Sequence, residues 1–253
     1  MSGSGVGGNR LRARPWTVCW AALAFLTVAR GAARRVPADD PGVWGRAVAC
    51  YPAVGLLLGA VQTAAWWGLA RLGAPWPAVF VVALGVVLTG ALHMDGVMDA
   101  ADGLWGAATP AERLRIMRDE RVGAFGVLAG VFTVLFKIAL LTPRGALLAP
   151  MLSRWAAAWA VVRYPYARPA GLGRDIHAAA RARHLVGASL FVAAALAGLG
   201  GRSGWLAWGG VALFTLAFAR FVQRRVPGFT GDLYGALIES AEIVALAFFW
   251  KTG

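Results

Sequence analysis

The chain has 253 residues, of which 59% are hydrophobic and only 15% are charged, whereas soluble domains average roughly 45–50% apolar and about 25% charged residues. A single soluble core of a chain this short cannot bury so much apolar side chain, so the composition excludes soluble and disordered proteins and predicts a polytopic membrane protein. The net charge of +13 does not indicate nucleic-acid binding, because the arginines stand between apolar segments, where they orient helices and meet anionic lipid or phosphate.

The chain begins with a basic tail that a short apolar segment follows. Residues 1–14 combine glycine and serine with three arginines and are predicted to be disordered. The apolar run at 16–29 is too short to cross about 30 Å of hydrocarbon at roughly 1.5 Å per residue, so it is predicted to be interfacial or re-entrant. Residues 15–253 together are predicted to form one membrane-embedded catalytic domain.

Seven further apolar segments have the length of a transmembrane helix. Each has close to the ~20 residues that a transmembrane helix requires, and proline or glycine stands at many of the joints between them. They predict an all-α fold, a polytopic membrane helix bundle with about seven transmembrane helices in addition to the short N-terminal segment. The seven segments are 47–70, 75–92, 123–141, 145–162, 184–200, 203–222 and 233–250.

The arginine content alternates from one joint to the next. Arg71, Arg144 and Arg202 each stand alone at their joint, whereas the alternate loops contain four, five and two arginines. Short cytoplasmic loops carry the excess of lysine and arginine. The rich loops are therefore predicted to face the cytoplasm from the inner (cytoplasmic) membrane, with the active site on that side.

Three aspartates form a stripe near the end of one apolar segment. The spacings of four and three place Asp95, Asp99 and Asp102 within about 60° of one helix face. No basic residue follows until Arg113, so their repulsion must be relieved by solvent, by protonation or by a hard cation such as Mg²⁺. A solvated helix end is the alternative, but ionisable groups at membrane depth are functional by default. Because Mg²⁺ usually adds substrate phosphate oxygens to one or two carboxylates, the stripe predicts a Mg²⁺ site for a phosphorylated substrate.

An arginine-rich segment follows the stripe. Arg115, Arg118 and Arg121 are suited to bidentate phosphate recognition, although a basic loop also serves to orient helices. Two residues are candidates for the catalytic base, Asp119 within this segment and His93 just before the stripe. The alternatives for His93 are a structural role or hydrogen-bond donation.

Other charged residues lie inside apolar segments. A guanidinium cannot shed its charge, so Arg154 is predicted to need a carboxylate or a substrate phosphate as its partner. Glu239 and Glu242 lie in the last apolar segment, and Asp232 stands just before it. They are predicted either to neutralise membrane arginines or to add metal ligands.

Two short segments and their flanks resemble a known family. GALHMDGVMDAADGLWG at 90–106 and IMRDERVGAFGV at 116–127 resemble the paired signature of the cobalamin synthase family, the adenosylcobinamide-GDP ribazoletransferases. YPAVGLLLGA at 51–60 is similar to the early span of that family, and GFTGDLYGALIESAE at 228–242 is similar to its C-terminal signature. The resemblance covers nearly the whole chain in order.

The resemblance implies a membrane transferase of cobalamin biosynthesis. Adenosylcobinamide-GDP and α-ribazole, or α-ribazole 5′-phosphate, would be its substrates, and GMP would be released in the last step of nucleotide-loop assembly. Mg²⁺ would be the cofactor. In this reading the stripe Asp95, Asp99 and Asp102 binds the metal, the three loop arginines bind phosphates, and Asp119 or His93 is the base. The sequence leaves open whether the chain forms a homo-oligomer.

Two other functions compete with this interpretation. Another Mg²⁺-dependent phosphotransferase acting on a nucleotide pyrophosphate, of the CDP-alcohol type, would use the same carboxylates, but its fuller motif with a downstream aspartate pair is absent. An ion-coupled transporter would use Arg154, Glu239 and Glu242 as a relay. The clustering of acids toward one side and the lack of internal repeats disfavour transport.

Overall fold

The computed structural model describes residues 15–37, 40 and 42–250, so the tail predicted at 1–14 lies outside the described residues. Twelve α-helices make up most of the described chain, and its only pairing of extended backbone is one isolated bridge between Tyr166 and Phe229. The predicted all-α class is confirmed. The helices are α1 (Pro15–Leu26), α2 (Val43–Ala47), α3 (Tyr51–Arg71), α4 (Pro77–Thr89), α5 (Leu92–Gly106), α6 (Pro110–Ile116), α7 (Ala124–Leu140), α8 (Pro143–Arg163), α9 (Leu172–Ala179), α10 (Ala182–Ala195), α11 (Gly201–Gln223) and α12 (Gly231–Phe249).

Several helices are suited to a membrane. Val43–Arg71, Pro143–Arg163 and Ala182–Gln223 are long and apolar enough to cross one, and the bent pair α4 and α5 adds a fourth candidate. The apolar helix α7 has 17 residues, and α12 has 19 but includes three acids. All seven predicted segments are helical and the membrane-bundle class is confirmed, while the count of seven spans stays a prediction. Helix α1 has only 12 residues, in keeping with a segment too short to cross.

The stretch 182–223 contains two of the predicted spans. Its 42 residues would reach about 63 Å as one helix, roughly twice the hydrocarbon thickness. A π-helical turn at Leu196–Gly200 precedes Gly201, whose φ of +53° breaks the regular helix. Arg144 Nη2 donates to the carbonyl of Gly200 at 2.7 Å, so the break lies beside the start of α8. Two joints predicted to share one side of the membrane therefore meet.

Helix α8 forms the centre of the bundle, since most of its residues are buried. Helix α3 lies directly against it because two glycines four residues apart leave room for the α8 backbone. A Cβ atom on Gly55 would come within 2.3 Å of the Pro150 carbonyl oxygen, and one on Gly59 within 2.1 Å of that of Leu147. Small residues at this spacing are typical of close helix contacts in membranes.

A sharp bend separates the aspartate stripe from the helix before it. The axes of α4 and α5 differ in direction by 89°. Gly90 and Ala91 form the turn with φ of +61° and +59°, a left-handed backbone that glycine adopts freely and alanine rarely. The sequence prediction placed the acids at the end of the span 75–92, whereas they lie on α5, a separate helix nearly perpendicular to it.

Helices α5 and α12 cross in close contact at a pair of glycines. A Cβ atom on Gly96 would lie 2.8 Å from the Asp232 carbonyl oxygen, and one on Gly235 would lie 3.1 Å from that of His93. This crossing brings the first turn of α12 against the aspartate stripe.

The arginine-rich segments that follow α5, α8 and α11 meet at one end of the bundle. Ala167 N donates to the Phe229 carbonyl at 2.8 Å, which joins the segment after α8 to the segment after α11. Arg113 Nη1 donates to the Arg225 carbonyl at 3.1 Å, which joins the segment after α5 to the same place. The structure thus groups the three segments for which the alternation of arginines predicts a common side.

Candidate active site

The three aspartates of the stripe share one helix, α5, but their surroundings differ. Asp95 is exposed, Asp99 is half-buried and Asp102 is buried. Both Asp102 oxygens accept backbone hydrogen bonds, from Gly123 N at 2.7 Å and from Gly126 N at 2.8 Å. These amides belong to the N-terminus of α7, where helix N–H groups lack partners and favour a negative charge. Asp102 therefore caps α7, a role that the sequence did not indicate.

Asp232 adds a fourth carboxylate to the stripe. Asp99 interacts electrostatically with Asp95, Asp232 and Asp102, and with one cation, Arg168. Across the described parts of the chain, no group of three or more His, Cys, Asp or Glu side chains is arranged to hold a metal ion. A metal at this place would need ligands from a substrate in addition to protein carboxylates.

The Arg168–Asp232 ion pair connects the stripe to the arginine-rich end. Arg168 Nη2 lies 2.6 Å from Asp232 Oδ2, and Thr230 Oγ1 donates to the same oxygen at 3.2 Å. The backbone bridge between Tyr166 and Phe229 places Arg168 there, next to the first turn of α12. Sequence reasoning counted Arg168 only as a loop arginine, because nothing near it in the sequence indicates a partner 64 residues away.

A cleft of about 490 Å³ lies on one side of this ion pair. The charged residues that line it are Arg115, Arg118, Asp119 and Arg168. Two of the three loop arginines predicted to bind phosphate therefore face the same space.

The third loop arginine is not among the residues that line this cleft. The Arg121 side chain is 89% exposed and pairs with Asp119 at 3.1 Å. Hydrogen bonds from Arg121 hold the pKa of Asp119 below its ordinary value, which makes this carboxylate a weaker proton acceptor.

A second, smaller cavity of about 170 Å³ lies on the other side of the ion pair. His93, Asp95 and Asp232 line it together with aromatic and aliphatic side chains. The two cavities are neighbours at the ion pair, since Arg168 lines the larger one and Asp232 the smaller one. The two residues predicted as candidates for the catalytic base therefore lie at different cavities, Asp119 at the larger cleft and His93 at the smaller cavity.

His93 is only 3% exposed, so the side chains around it decide which of its ring nitrogens carries the proton. Its Nδ1 lies 3.5 Å from Arg154 Nη2. Because a guanidinium only donates hydrogen bonds, a hydrogen bond from Arg154 requires the tautomer with the ring proton on Nε2, whereas the Glu239 carboxylate, 4.0 Å from the same Nδ1, favours a proton on Nδ1. In the Nε2–H tautomer His93 offers a donor, which is the hydrogen-bond-donating role considered for it.

A buried group of four charges lies below His93, formed by Lys137, Arg154, Glu239 and Glu242. Lys137 Nζ lies 2.7 Å from a carboxylate oxygen of each glutamate, and Arg154 Nη1 lies 2.5 Å from Glu242 Oε2. Two cations and two anions balance, which is how buried charges become tolerable in an apolar environment. Among the partners that the sequence left open, the structure pairs Arg154 with Glu242, and both glutamates form ion pairs.

The fold and the site are those of an all-helical membrane protein in which carboxylates and arginines lie together at one end of the bundle. Residues 18–250 match the model of the cobalamin-5-phosphate synthase family, and the chain belongs to that family. The family resemblance of the sequence motifs is confirmed.

Relatives with the name adenosylcobinamide-GDP ribazoletransferase are similar to most of the chain. The protein of Desulfitobacterium hafniense (strain Y51) is 38% identical over 90% of this chain and 94% of its own. That of Roseiflexus sp. (strain RS-1) is 36% identical over 92% and 89%, and that of Escherichia coli O157:H7 is 36% identical over 90% and 96%. No solved structure matches the chain.

Proposed function

We propose that the protein is a membrane-embedded adenosylcobinamide-GDP ribazoletransferase. It joins adenosylcobinamide-GDP to α-ribazole, or to α-ribazole 5′-phosphate, and releases GMP, so that adenosylcobalamin or its 5′-phosphate is formed. Beyond family membership, the observation that carries the proposal is the meeting of an arginine-lined cleft and a carboxylate-lined cavity at the Arg168–Asp232 pair. A reaction between a pyrophosphate and a hydroxyl needs this combination of groups.

The larger cleft is suited to the pyrophosphate of the donor. Arg115, Arg118 and Arg168 supply three guanidinium groups, whose paired N–H donors match phosphate oxygens. Its volume of about 490 Å³ lies within the range of roughly 300–1,000 Å³ that is typical of small-molecule sites. Arg121 remains outside the cleft, and Arg154 acts on the site only through its contact with His93.

The smaller cavity is suited to the acceptor. A ribose hydroxyl oxygen there forms a bond to the phosphorus that carries the cobinamide, the bond from that phosphorus to GMP breaks, and the hydroxyl proton passes to a base. Asp232 is the best placed base, because both of its hydrogen bonds fall on Oδ2 and, within the described residues, Oδ1 is left for the acceptor. Asp119 is less suited, since it lies at the other cleft and its pKa is lowered by Arg121.

Mg²⁺ is proposed as the cofactor, held by Asp95 and Asp99 with phosphate oxygens of the donor. These two carboxylates fit the ion because neither forms an ion pair within the described chain, whereas Asp102 accepts two backbone hydrogen bonds. When bound, the ion neutralises charge that develops on the pyrophosphate oxygens. Asp102 is then a positioning residue that fixes α5 against α7.

We also propose that the protein lies in the inner (cytoplasmic) membrane with both cavities open toward the cytoplasm. The support is the excess of arginine in the segments that meet at this end, because cytoplasmic loops carry that excess. Phosphorylated substrates, which cannot cross the membrane, would then reach both cavities from the cytoplasm. The bilayer is its environment, and no nucleic-acid partner is proposed.

The activity is tested by following GMP release from adenosylcobinamide-GDP in membranes that contain the protein. We expect GMP release to require α-ribazole, to stop with EDTA and to return with Mg²⁺. Asp232→Asn should reduce the rate of release at least 100-fold. Asp175→Asn is the matched control, because Asp175 lies exposed on α9 and lines neither cavity. Release of GMP without acceptor would identify a hydrolase instead, and no release from folded protein would contradict the proposal.

A further inference from the structure

Two tyrosines that line the smaller cavity have buried hydroxyl groups without a hydrogen-bond partner among the described residues. Tyr51 on α3 is 1% exposed and Tyr234 on α12 is 9% exposed, and both residues line this cavity. Within the described part of the chain, neither hydroxyl oxygen makes a hydrogen bond. The two hydroxyls also lie close enough to interact electrostatically with each other. Leaving a buried donor unsatisfied is costly, so each of these hydroxyls needs a partner such as water, an ion or a ligand.

The size and lining of the cavity restrict its occupant. A cavity of about 150 Å³ holds a benzene molecule, so the volume of about 170 Å³ fits a small ring system and excludes a guanine nucleotide or a corrin ring. The walls include two pairs of stacked rings, Phe25 with Tyr51 and Tyr166 with Tyr234. A flat aromatic group suits such walls.

The charge of the lining also restricts the occupant. Its charged residues are two carboxylates, Asp95 and Asp232, and no lysine or arginine is among the lining residues. Without a bound cation, a phosphate group inside the cavity would meet repulsion from these carboxylates. A lipid chain would match the apolar walls but would leave both tyrosine hydroxyls without a partner.

From this combination we infer that the smaller cavity binds the aromatic base of a ribonucleoside acceptor, a nitrogen heterocycle whose ring nitrogen accepts a hydrogen bond from the Tyr51 or Tyr234 hydroxyl. The inference rests on the proposed function, because it takes the acceptor to be a ribazole. The polar side of the cavity, with His93 and Asp232, then faces the ribose of the same molecule. The two tyrosines are specificity-determining residues, since a base without an acceptor nitrogen would leave their hydroxyls unsatisfied.

The test compares two compounds of nearly the same shape as competitors of α-ribazole. In 1-methylbenzimidazole a ring nitrogen accepts a hydrogen bond, whereas 1-methylindole has a C–H group at that place. Binding of α-ribazole to purified protein is measured by equilibrium dialysis without donor. We expect 1-methylbenzimidazole to compete with α-ribazole at least fivefold better than 1-methylindole does, in keeping with one hydrogen bond.

Tyrosine variants show which hydroxyl group gives the preference for 1-methylbenzimidazole over 1-methylindole. Tyr51→Phe and Tyr234→Phe should weaken α-ribazole binding, and at least one of them should abolish the fivefold preference. The KM for adenosylcobinamide-GDP should stay within twofold. Tyr164→Phe is the matched control, because Tyr164 stacks on Phe229 and does not line the cavity.

Three results would overturn the inference. They are equal competition by the two compounds, displacement of adenosylcobinamide-GDP but not of α-ribazole when each is dialysed separately, and a preference that survives in both tyrosine variants. Failure of the proposed function gives a different pattern, in which dialysis shows the preference but no GMP is released. The comparison of the two compounds on the unchanged protein tests the inference even where a tyrosine variant loses thermal stability in detergent.

Discussion

At the scale of single residues, the three aspartates of the stripe divide into two kinds. Asp95 lines the smaller cavity and Asp99 interacts electrostatically with the Arg168–Asp232 pair, whereas both oxygens of Asp102 accept hydrogen bonds from the first turn of α7. The carboxylate of Asp102 therefore joins two helices. Asp95 and Asp99 carry the proposed contact with Mg²⁺ and the donor.

This division predicts different outcomes for the same substitution. Asp102→Asn should lower the free energy of unfolding by about 1–2 kcal/mol, because an amide nitrogen cannot accept a hydrogen bond and the charge at the helix N-terminus is lost. Asp95→Asn and Asp99→Asn should keep the melting temperature in detergent but reduce GMP release more than 100-fold. Activity within tenfold of the unchanged protein for both would eliminate the metal site.

The sequence predicts the stripe because the regular spacing of aspartates in a helix is a local property. It also predicts that Arg154 needs an anion, because burial of a guanidinium in apolar sequence has a clear cost. It did not identify Arg168, and it did not assign Asp102 to α7. Both contacts depend on how loops fold back on the helices, and the residues concerned carry no periodic pattern.

At the scale of helices, the buried charges connect α7, α8 and α12. Lys137, Arg154, Glu239 and Glu242 come from these three helices and sum to zero charge. The arrangement explains why α12 can lie within the bundle although it carries two glutamates in its apolar part. It also supports His93 through Arg154.

The charge balance predicts how the substitutions of this group combine. Arg154→Met should destabilise the protein by about 3–5 kcal/mol, since it leaves an excess negative charge buried. Adding Glu242→Gln should restore part of this loss, because Lys137 and Glu239 then balance. Thermal unfolding in detergent measures both, with the exposed Arg71→Met as control. Strictly additive losses would show that the two residues are not coupled.

The crossing of α5 and α12 predicts a different defect. A Cβ atom in Gly96→Ala would meet the Asp232 carbonyl oxygen at 2.8 Å and the Gly235 Cα at 3.2 Å, and neither backbone atom can move alone. The helices should separate, and Asp232 should shift from its place between the cavities. We expect GMP release to fall at least tenfold. Gly68→Ala, where a Cβ atom meets nothing within 4 Å, should leave activity unchanged, and equal loss in both variants would contradict this account.

At the scale of the whole molecule, the contacts divide the joints into two groups. The arginine-rich segments after α5, α8 and α11 contact one another. The start of α8 contacts the break between α10 and α11 through Arg144. The alternation of arginines predicted this grouping, because the positive-inside rule acts on the whole chain. The bend of 89° between α4 and α5 could not be predicted, since apolar sequence continues through it.

The proposed orientation predicts which joints can be labelled from outside the cell. In a protein without Cys19 and Cys50, single cysteines at 71–74 should react with an impermeant thiol reagent in intact cells. Cysteines at 107–111 should react only after the cells are opened. The reverse pattern would refute the cytoplasmic position of the active site, although it would leave the fold unaffected.

The balanced group of charges has a consequence for the synthesis of the protein. Lys137 and Arg154 leave the ribosome with α7 and α8, whereas Glu239 and Glu242 follow only with the last helix. Until then the two cations lack the carboxylates that neutralise them in the finished bundle, so we expect α7 and α8 to stay in a hydrated or loosely associated state. Entry of α12 neutralises both at once, which makes the final helix the step that commits the chain to its assembled form. A chain that ends before Glu239 would keep two uncompensated cations and would be a natural target for membrane quality control.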